Sequence, residues 1–204
     1  MNVDCEGWLD AAQHRPSPNA DERPDACVPE LIVVHNISLP PGEFGGPWID
    51  ALFGNSLPAD EHPYFSDIAG LKVSAHLLIR RDGTLVQYVP FLRRAWHAGI
   101  SFYGMRERCN DFSIGIELEG ADDVPYEDAQ YERLASVIAA LLTAYPTLSR
   151  ERISGHSDIA PGRKTDPGPS FEWGRLRREL GRCLASRPLS PETLRIEPPC
   201  EDAS

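Results

Sequence analysis

The chain has 204 residues, 41% hydrophobic and 25% charged, the composition of a globular protein of one domain, or of one domain with extensions. A chain of this length can bury roughly 70% of its extended-chain surface, so it needs no disulfide framework. The formal net charge of −11 excludes nucleic acid and anionic membrane surfaces as main partners, because long-range steering toward either is repulsive.

The N-terminal run MNVDCEGWLDAAQHR has no basic segment followed by an apolar one, so no signal peptide is expected. No apolar stretch approaches the ~20 residues that span a bilayer. The cysteines at 5, 27, 109, 183 and 200 are odd in number and lack ligand-type spacing, which predicts reduced thiols and a cytoplasmic location. Residues 1–29, broken by Pro16, Pro18, Pro24 and Pro29, read as an irregular lead-in laid along the domain. Leu31 to Ile37 is a buried-type strand whose alternation puts Leu31, Val33 and His35 on one face. Residues 38–72, rich in Pro and Gly, form a long loop with a short helix near Trp48 to Phe53, and long loops in compact domains are often functional. Val73 to Ile79 and Leu85 to Pro90 read as strands joined by an Arg80-Arg-Asp-Gly83 turn. Ser113 to Glu119 is a further strand, with Ile114, Ile116 and Leu118 on one face and Gly115, Glu117 and Glu119 on the other.

The spacing of Tyr131, Leu134, Ala135, Ile138, Leu141, Leu142 and Tyr145 predicts a helix that Pro146 ends. A second helix is predicted from about Phe171 to Ser186, capped by Ser170, with Trp173, Leu176, Leu180 and Leu184 inward. Together these elements predict a single α/β domain over 30–186, a central mixed sheet flanked by helices, followed by a proline-rich tail at 187–204.

Of six histidines, His14 and His62 sit in polar, Pro-rich context. His35 emerges where an apolar strand meets a loop, and such rims are where sites form. His156 follows a glycine in ISGHSD, and Asp166 lies ten residues on, in a loop stiffened by Pro161, Pro167 and Pro169. Two imidazoles and a carboxylate make a catalytic-type zinc set with one position open for water. Spacing alone leaves this open against separate core or surface groups. Lys164 is one of only two lysines, the other being Lys72, and an ammonium there could steady an oxyanion or be a solvated loop charge. Glu117, beside Gly115, is a candidate base, with Glu119 as its competitor on the same face.

Five segments in order, LIVVHNISLPPGEFGG, SAHLLIRRDG, RAWHAG, RERCNDFSIGIELEG and SGHSDIAPGRKTDPGP, resemble the zinc-dependent N-acetylmuramoyl-L-alanine amidases, which include the T7-type lysozyme amidase and the peptidoglycan recognition proteins. Residues 5–186 carry the resemblance, which is strongest to amidases acting on 1,6-anhydro-N-acetylmuramyl-L-alanine. It implies zinc held by His35, His156 and Asp166, catalysis by Glu117 and Lys164, and muropeptide contacts from Asn36 and Arg108. His76 and His97 lie in family-like segments and are expected to pack or hydrogen-bond near the cleft rather than to ligate. Arg106, Arg108 and Arg163 are candidates to pair with peptide carboxylates. The implied activity is hydrolysis of the lactyl–L-Ala amide in soluble muropeptides during cell-wall recycling, which removes a signal for β-lactamase induction. The implied partner is that small substrate, with no obligate protein partner. A lytic amidase acting on intact murein and a non-catalytic muropeptide-binding module are the alternatives.

Overall fold

The first paired segments are short: β1 (Gln13–His14) and β2 (Ala20–Asp21). The computed structural model, which describes residues 1–186, continues with β3 (Leu31–Ile37), α1 (Trp48–Phe53), α2 (Pro63–Ile68), β4 (Leu77–Ile79) and β5 (Leu85–Gln87). Next come β6 (Arg94–Ala95), β7 (Phe102–Tyr103), β8 (Arg106–Glu107), a 3-10 turn at Cys109–Asp111, and β9 (Ser113–Glu119). The chain then forms α3 (Asp128–Ala144), β10 (Ile153–Gly155), α4 (His156–Ile159) and α5 (Trp173–Ala185). The tail read at 187–204 lies outside the described residues.

Six strands make one sheet in the order β1-β5-β4-β9-β3-β10. Only the β4–β5 pair is antiparallel, so the sheet is mixed, as the sequence predicts. Alternation splits its central strands between two layers. Ile32 and Val34 of β3, with Ile114, Ile116 and Leu118 of β9, pack against Leu134, Ile138 and Leu141 of α3 and Leu176 and Leu180 of α5. Leu31 and Val33 face the other way, against Ala98, Phe112 and Ile159. The second side of the sheet is completed by α1 and α2, whose Leu52, Phe53, Phe65 and Ile68 cover Leu78 and Val86. Burial at roughly 25 cal/mol per Å² of apolar surface makes both layers the main stabilising contribution.

The structure refines several sequence expectations. The lead-in is not wholly irregular: β1 extends the sheet edge beside β5, and β2 pairs with β6. Arg23 pins it further, donating to the carbonyls of Asn110, Asp111, Phe91 and Ser113. The strand expected from Val73 is ladder-paired only over Leu77–Ile79. In the 38–72 loop, α2 was not foreseen; its N-cap is the His62 ring, whose Nδ1 accepts from the Tyr64 N–H at 3.1 Å. Ser170 does not cap α5, which begins after Glu172; the Ser170 N–H goes instead to the Asp122 carbonyl. Among the described residues no helix is long and apolar enough to cross a membrane.

Candidate active site

The parallel pairing of β3 with β9 sets His35 directly opposite Glu117 and Val33 opposite Gly115. Both side chains therefore leave the sheet on the face away from α3. Next to β3 on its other side, β10 ends at Gly155, and His156 opens α4 there. The loop after α4 returns so that the Ser157 N–H donates to the Asp166 carbonyl at 2.9 Å. Gly155 permits this approach: a Cβ there would meet Cδ of Pro167 at 2.9 Å. Three residues spread over 131 positions are thereby brought together.

Their donor atoms converge tightly. Nδ1 of His35 lies 2.9 Å from Nδ1 of His156 and 3.1 Å from Oδ2 of Asp166, and the His156–Asp166 separation is 3.0 Å. A tetrahedral ion with bonds of about 2.0–2.1 Å to N and O spaces its ligands by roughly 3.3 Å, so this triangle is a slightly tightened face of such a site. Among the described residues it is the one group of three His, Cys, Asp or Glu side chains close enough to share an ion. The outer nitrogen of His156 faces the Ala98 carbonyl at 3.1 Å, which can only accept. Nε2 of His156 therefore carries the proton and Nδ1 offers a lone pair to the centre. The geometry and the donor chemistry both fit a divalent cation of the zinc type.

Electrostatics agree. Burial drops His35 from its ordinary 6.5 to about 4, against the pull of Asp166, so the ring is neutral at physiological pH, as a ligand must be. Burial works to raise Asp166, but the Nδ1 atoms of His156 and His35 beside it outweigh burial and hold the carboxyl well below the usual carboxylate range.

The two glutamates on β9 separate cleanly. Glu119 is spoken for: it accepts from the N–H of Gly45 at 2.7 Å, from the N–H of Arg81 at 3.1 Å and from the Arg80 guanidinium at 3.3 Å. Oε2 of Glu117 is buried with no hydrogen-bond partner, while the residue borders the cleft. Burial, then the nearby Asp166 charge, push its carboxyl well above the ordinary 4.5; Lys164 opposes this.

A cleft of about 340 Å³ opens over the centre, within the range typical of small-molecule sites. His35, Asn36, Glu117, His156, Lys164 and Asp166 all line it. Asn36 donates to Asp122 at 2.8 Å and to the Pro167 carbonyl at 3.2 Å, which braces the Asp166 loop. Arg108 is not brought in. It sits in a left-handed turn, φ 62°, with its side chain 71% exposed and paired with Asp111. Arg106 binds Glu30, and Arg163 donates to the carbonyls of Ala98 and Ile100, so neither of these arginines lines the cleft. Leu39, Phe53, Tyr64, Ile68 and Trp96 add an apolar part to the cleft lining. Sequence reasoning did not single these residues out, although four of the five fall in the 38–72 loop.

The profile of the N-acetylmuramoyl-L-alanine amidases matches residues 25–169. The chain belongs to this amidase family. It is 65% identical over 172 residues to the 1,6-anhydro-N-acetylmuramyl-L-alanine amidase AmpD of Citrobacter freundii, covering 84% of this chain and 91% of that one. It superposes on a crystal structure of a selenomethionine AmpD derivative with a TM-score of 0.86 and 63% identity, over 88% of this chain and 99% of the other. The amidase AmiD of Escherichia coli, solved in complex with the substrate anhydro-N-acetylmuramic acid-L-Ala-D-γ-Glu-L-Lys, matches at 29% identity and a TM-score of 0.54, over 87% of this chain and 65% of that one. The mixed α/β fold expected from the sequence, a central sheet flanked by helices, is thus the one this amidase adopts and shares with AmpD.

Proposed function

We propose that this amidase is a zinc enzyme of the cytoplasm that hydrolyses the amide between the lactyl group of 1,6-anhydro-N-acetylmuramic acid and L-alanine in soluble muropeptides. One observation carries the reading: three metal-type donors meet beside a buried carboxyl that has no partner, at the floor of a single cleft. The substrate class is supported by the AmpD and AmiD relatives. The reading assigns the amidase domain to residues 30–186, with 1–29 laid against it and 187–204 outside it.

His35, His156 and Asp166 hold the metal, and Asn36 helps to keep the Asp166 loop in place. Bound zinc supplies Lewis acidity, which acidifies water and polarises the scissile carbonyl. Glu117 takes the proton of the attacking water at its unpartnered carboxylate and passes it to the leaving L-Ala nitrogen. A carboxyl whose proton affinity is raised by burial suits both halves of that transfer. The Lys164 ammonium, on the cleft wall, stabilises negative charge on the carbonyl oxygen of the tetrahedral species. The apolar wall around Phe53, Tyr64 and Trp96 takes the carbon faces of the ligand and excludes water.

The deciding experiment compares release of L-Ala-peptide from soluble anhydro-muropeptide and from whole murein sacculi. Rapid release from the first and little from the second is expected. Preference for sacculi would establish the lytic alternative, and tight binding with no release would establish a binding module.

A further inference from the structure

We propose that His97 is a positioning residue: through a chain of hydrogen bonds it locks His35 in the tautomer that turns a lone pair on Nδ1 toward the metal. The inference rests on the zinc reading of the His35–His156–Asp166 centre and extends it to a residue that touches neither metal nor reacting atoms.

The chain can be read from its far end. The Ser113 hydroxyl lies 2.6 Å from the Cys109 carbonyl and 3.2 Å from Nε2 of His97. The shorter contact is to a group that can only accept, so the single hydroxyl proton goes there. The serine oxygen is then an acceptor for His97, and Nε2 of His97 carries a proton. Neutral imidazole has one N–H, which leaves Nδ1 of His97 as an acceptor. That atom lies 2.9 Å from Nε2 of His35. The His35 proton is therefore on Nε2, and its Nδ1 faces His156 and Asp166 with a free lone pair.

The alternative tautomer of His35 would put a proton where the metal must bind and leave Nδ1 of His97 facing a second lone pair across 2.9 Å with no room for an ion. The lone pairs on Nδ1 of His35 and of His156, also 2.9 Å apart, instead converge with Asp166 where a cation would sit. The two ligands are thus handled by consecutive residues. The His97 side chain orients His35, and the Ala98 carbonyl, 3.1 Å from Nε2 of His156, orients the second ring. Asn110 clamps the pair, its Oδ1 accepting from the N–H of His97 at 3.1 Å and of Ala98 at 2.8 Å. Gly115 makes room for the device. A Cβ on that residue would fall 2.4 Å from Cγ of His97, so the ring lies directly on the backbone of β9. The absence of a side chain between Ile114 and Ile116 thus has a cause in the site. Partners of this kind, bonded to the outer nitrogen of a ligating histidine, typically change metal affinity 10–100-fold when removed.

The test uses the full chain with His97→Leu, which has no acceptor, and His97→Asn, whose Oδ1 can take the place of the imidazole Nδ1. Zinc affinity is measured by chelator competition, and nitrogen NMR of labelled histidines in the metal-free protein reports the His35 tautomer. Leucine should weaken zinc about 10–100-fold and release His35 into a tautomer mixture, whereas asparagine should keep the Nε2–H form and most of the affinity. Equal losses in both variants would reduce His97 to a packing residue, and an unchanged tautomer in the leucine variant would overturn the proposal. If leucine prevents folding, Ser113→Ala removes the far end of the chain with little change of volume, and there too His35 must lose its single tautomer. Failure of the wild-type protein to bind zinc would defeat the metal reading instead, while the tautomer measurement would still judge His97.

Discussion

Stripped of metal, this amidase should lose stability steeply as the pH falls from about 6 to 4.5. His35 and His76 are essentially inaccessible, at 1% and 0% exposure, and burial takes them from 6.5 to about 4 and about 3. His97 is held well below 6.5 by burial and by the charges that His35 and His76 would carry if protonated. In the unfolded chain all three protonate near 6.5. Between there and about 4 the unfolded state binds three protons that the folded state refuses, so acid favours unfolding. Glu117 acts in the opposite sense, because above 4.5 it keeps a proton in the fold that the unfolded chain releases. Asp166 and the other depressed carboxylates act mainly below this window and, near its lower end, in the same direction as the histidines. The balance is two protons, or about 3 kcal/mol per pH unit at about 1.4 kcal/mol each. Over the window that is roughly 4 kcal/mol, a large share of the 5–15 kcal/mol typical of a domain. Urea unfolding of chelator-treated protein at several pH values reads the slope directly. His76→Gln should cut it by about half. A flat profile, or stability that rises with acid, would refute the assignment of three neutral buried imidazoles.

Two substitutions test the division of labour in the cleft. Glu117→Gln should keep zinc and fold normally while kcat falls about 10²–10⁴-fold; near-native turnover would remove it as the proton carrier. Lys164→Ala should slow turnover at least tenfold with an unchanged melting temperature, since its side chain is an exposed part of the cleft wall; an unaltered rate would make it a solvated charge.

Legibility in the sequence followed the range of the interactions. The alternation in β3 and β9 assigned their faces correctly, because each strand is buried on both sides by residues of different character. The pattern could also place Glu117 and Glu119 on one face, but not choose between them. That choice lies in Gly45, Arg80 and Arg81, which occupy Glu119 from 38 to 74 residues away. The opposition of His35 to Glu117 is likewise set by parallel pairing through long crossovers, which leaves no local trace. Arg108 is a different case: its segment is family-like, but its left-handed backbone and its pairing with Asp111 leave the side chain exposed and outside the cleft lining, so its muropeptide contact rests on the resemblance. The cap of α5 was misplaced because the helix opens after Glu172, two residues beyond Ser170, whose N–H is held by the Asp122 carbonyl. A place for His97 beside the cleft was legible, but its hold on His35 was not, for a different reason. It depends on which nitrogen holds a proton, and that is decided by Ser113 and the carbonyl of Cys109.

Metal analysis of the purified protein, with one ligand removed at a time, bears most directly on the whole scheme. The wild-type chain should hold one zinc per molecule, and His35→Ala, His156→Ala and Asp166→Ala should each lose it along with all amidase activity. Stoichiometric zinc in any of the three variants, or full turnover by protein free of metal, would contradict it.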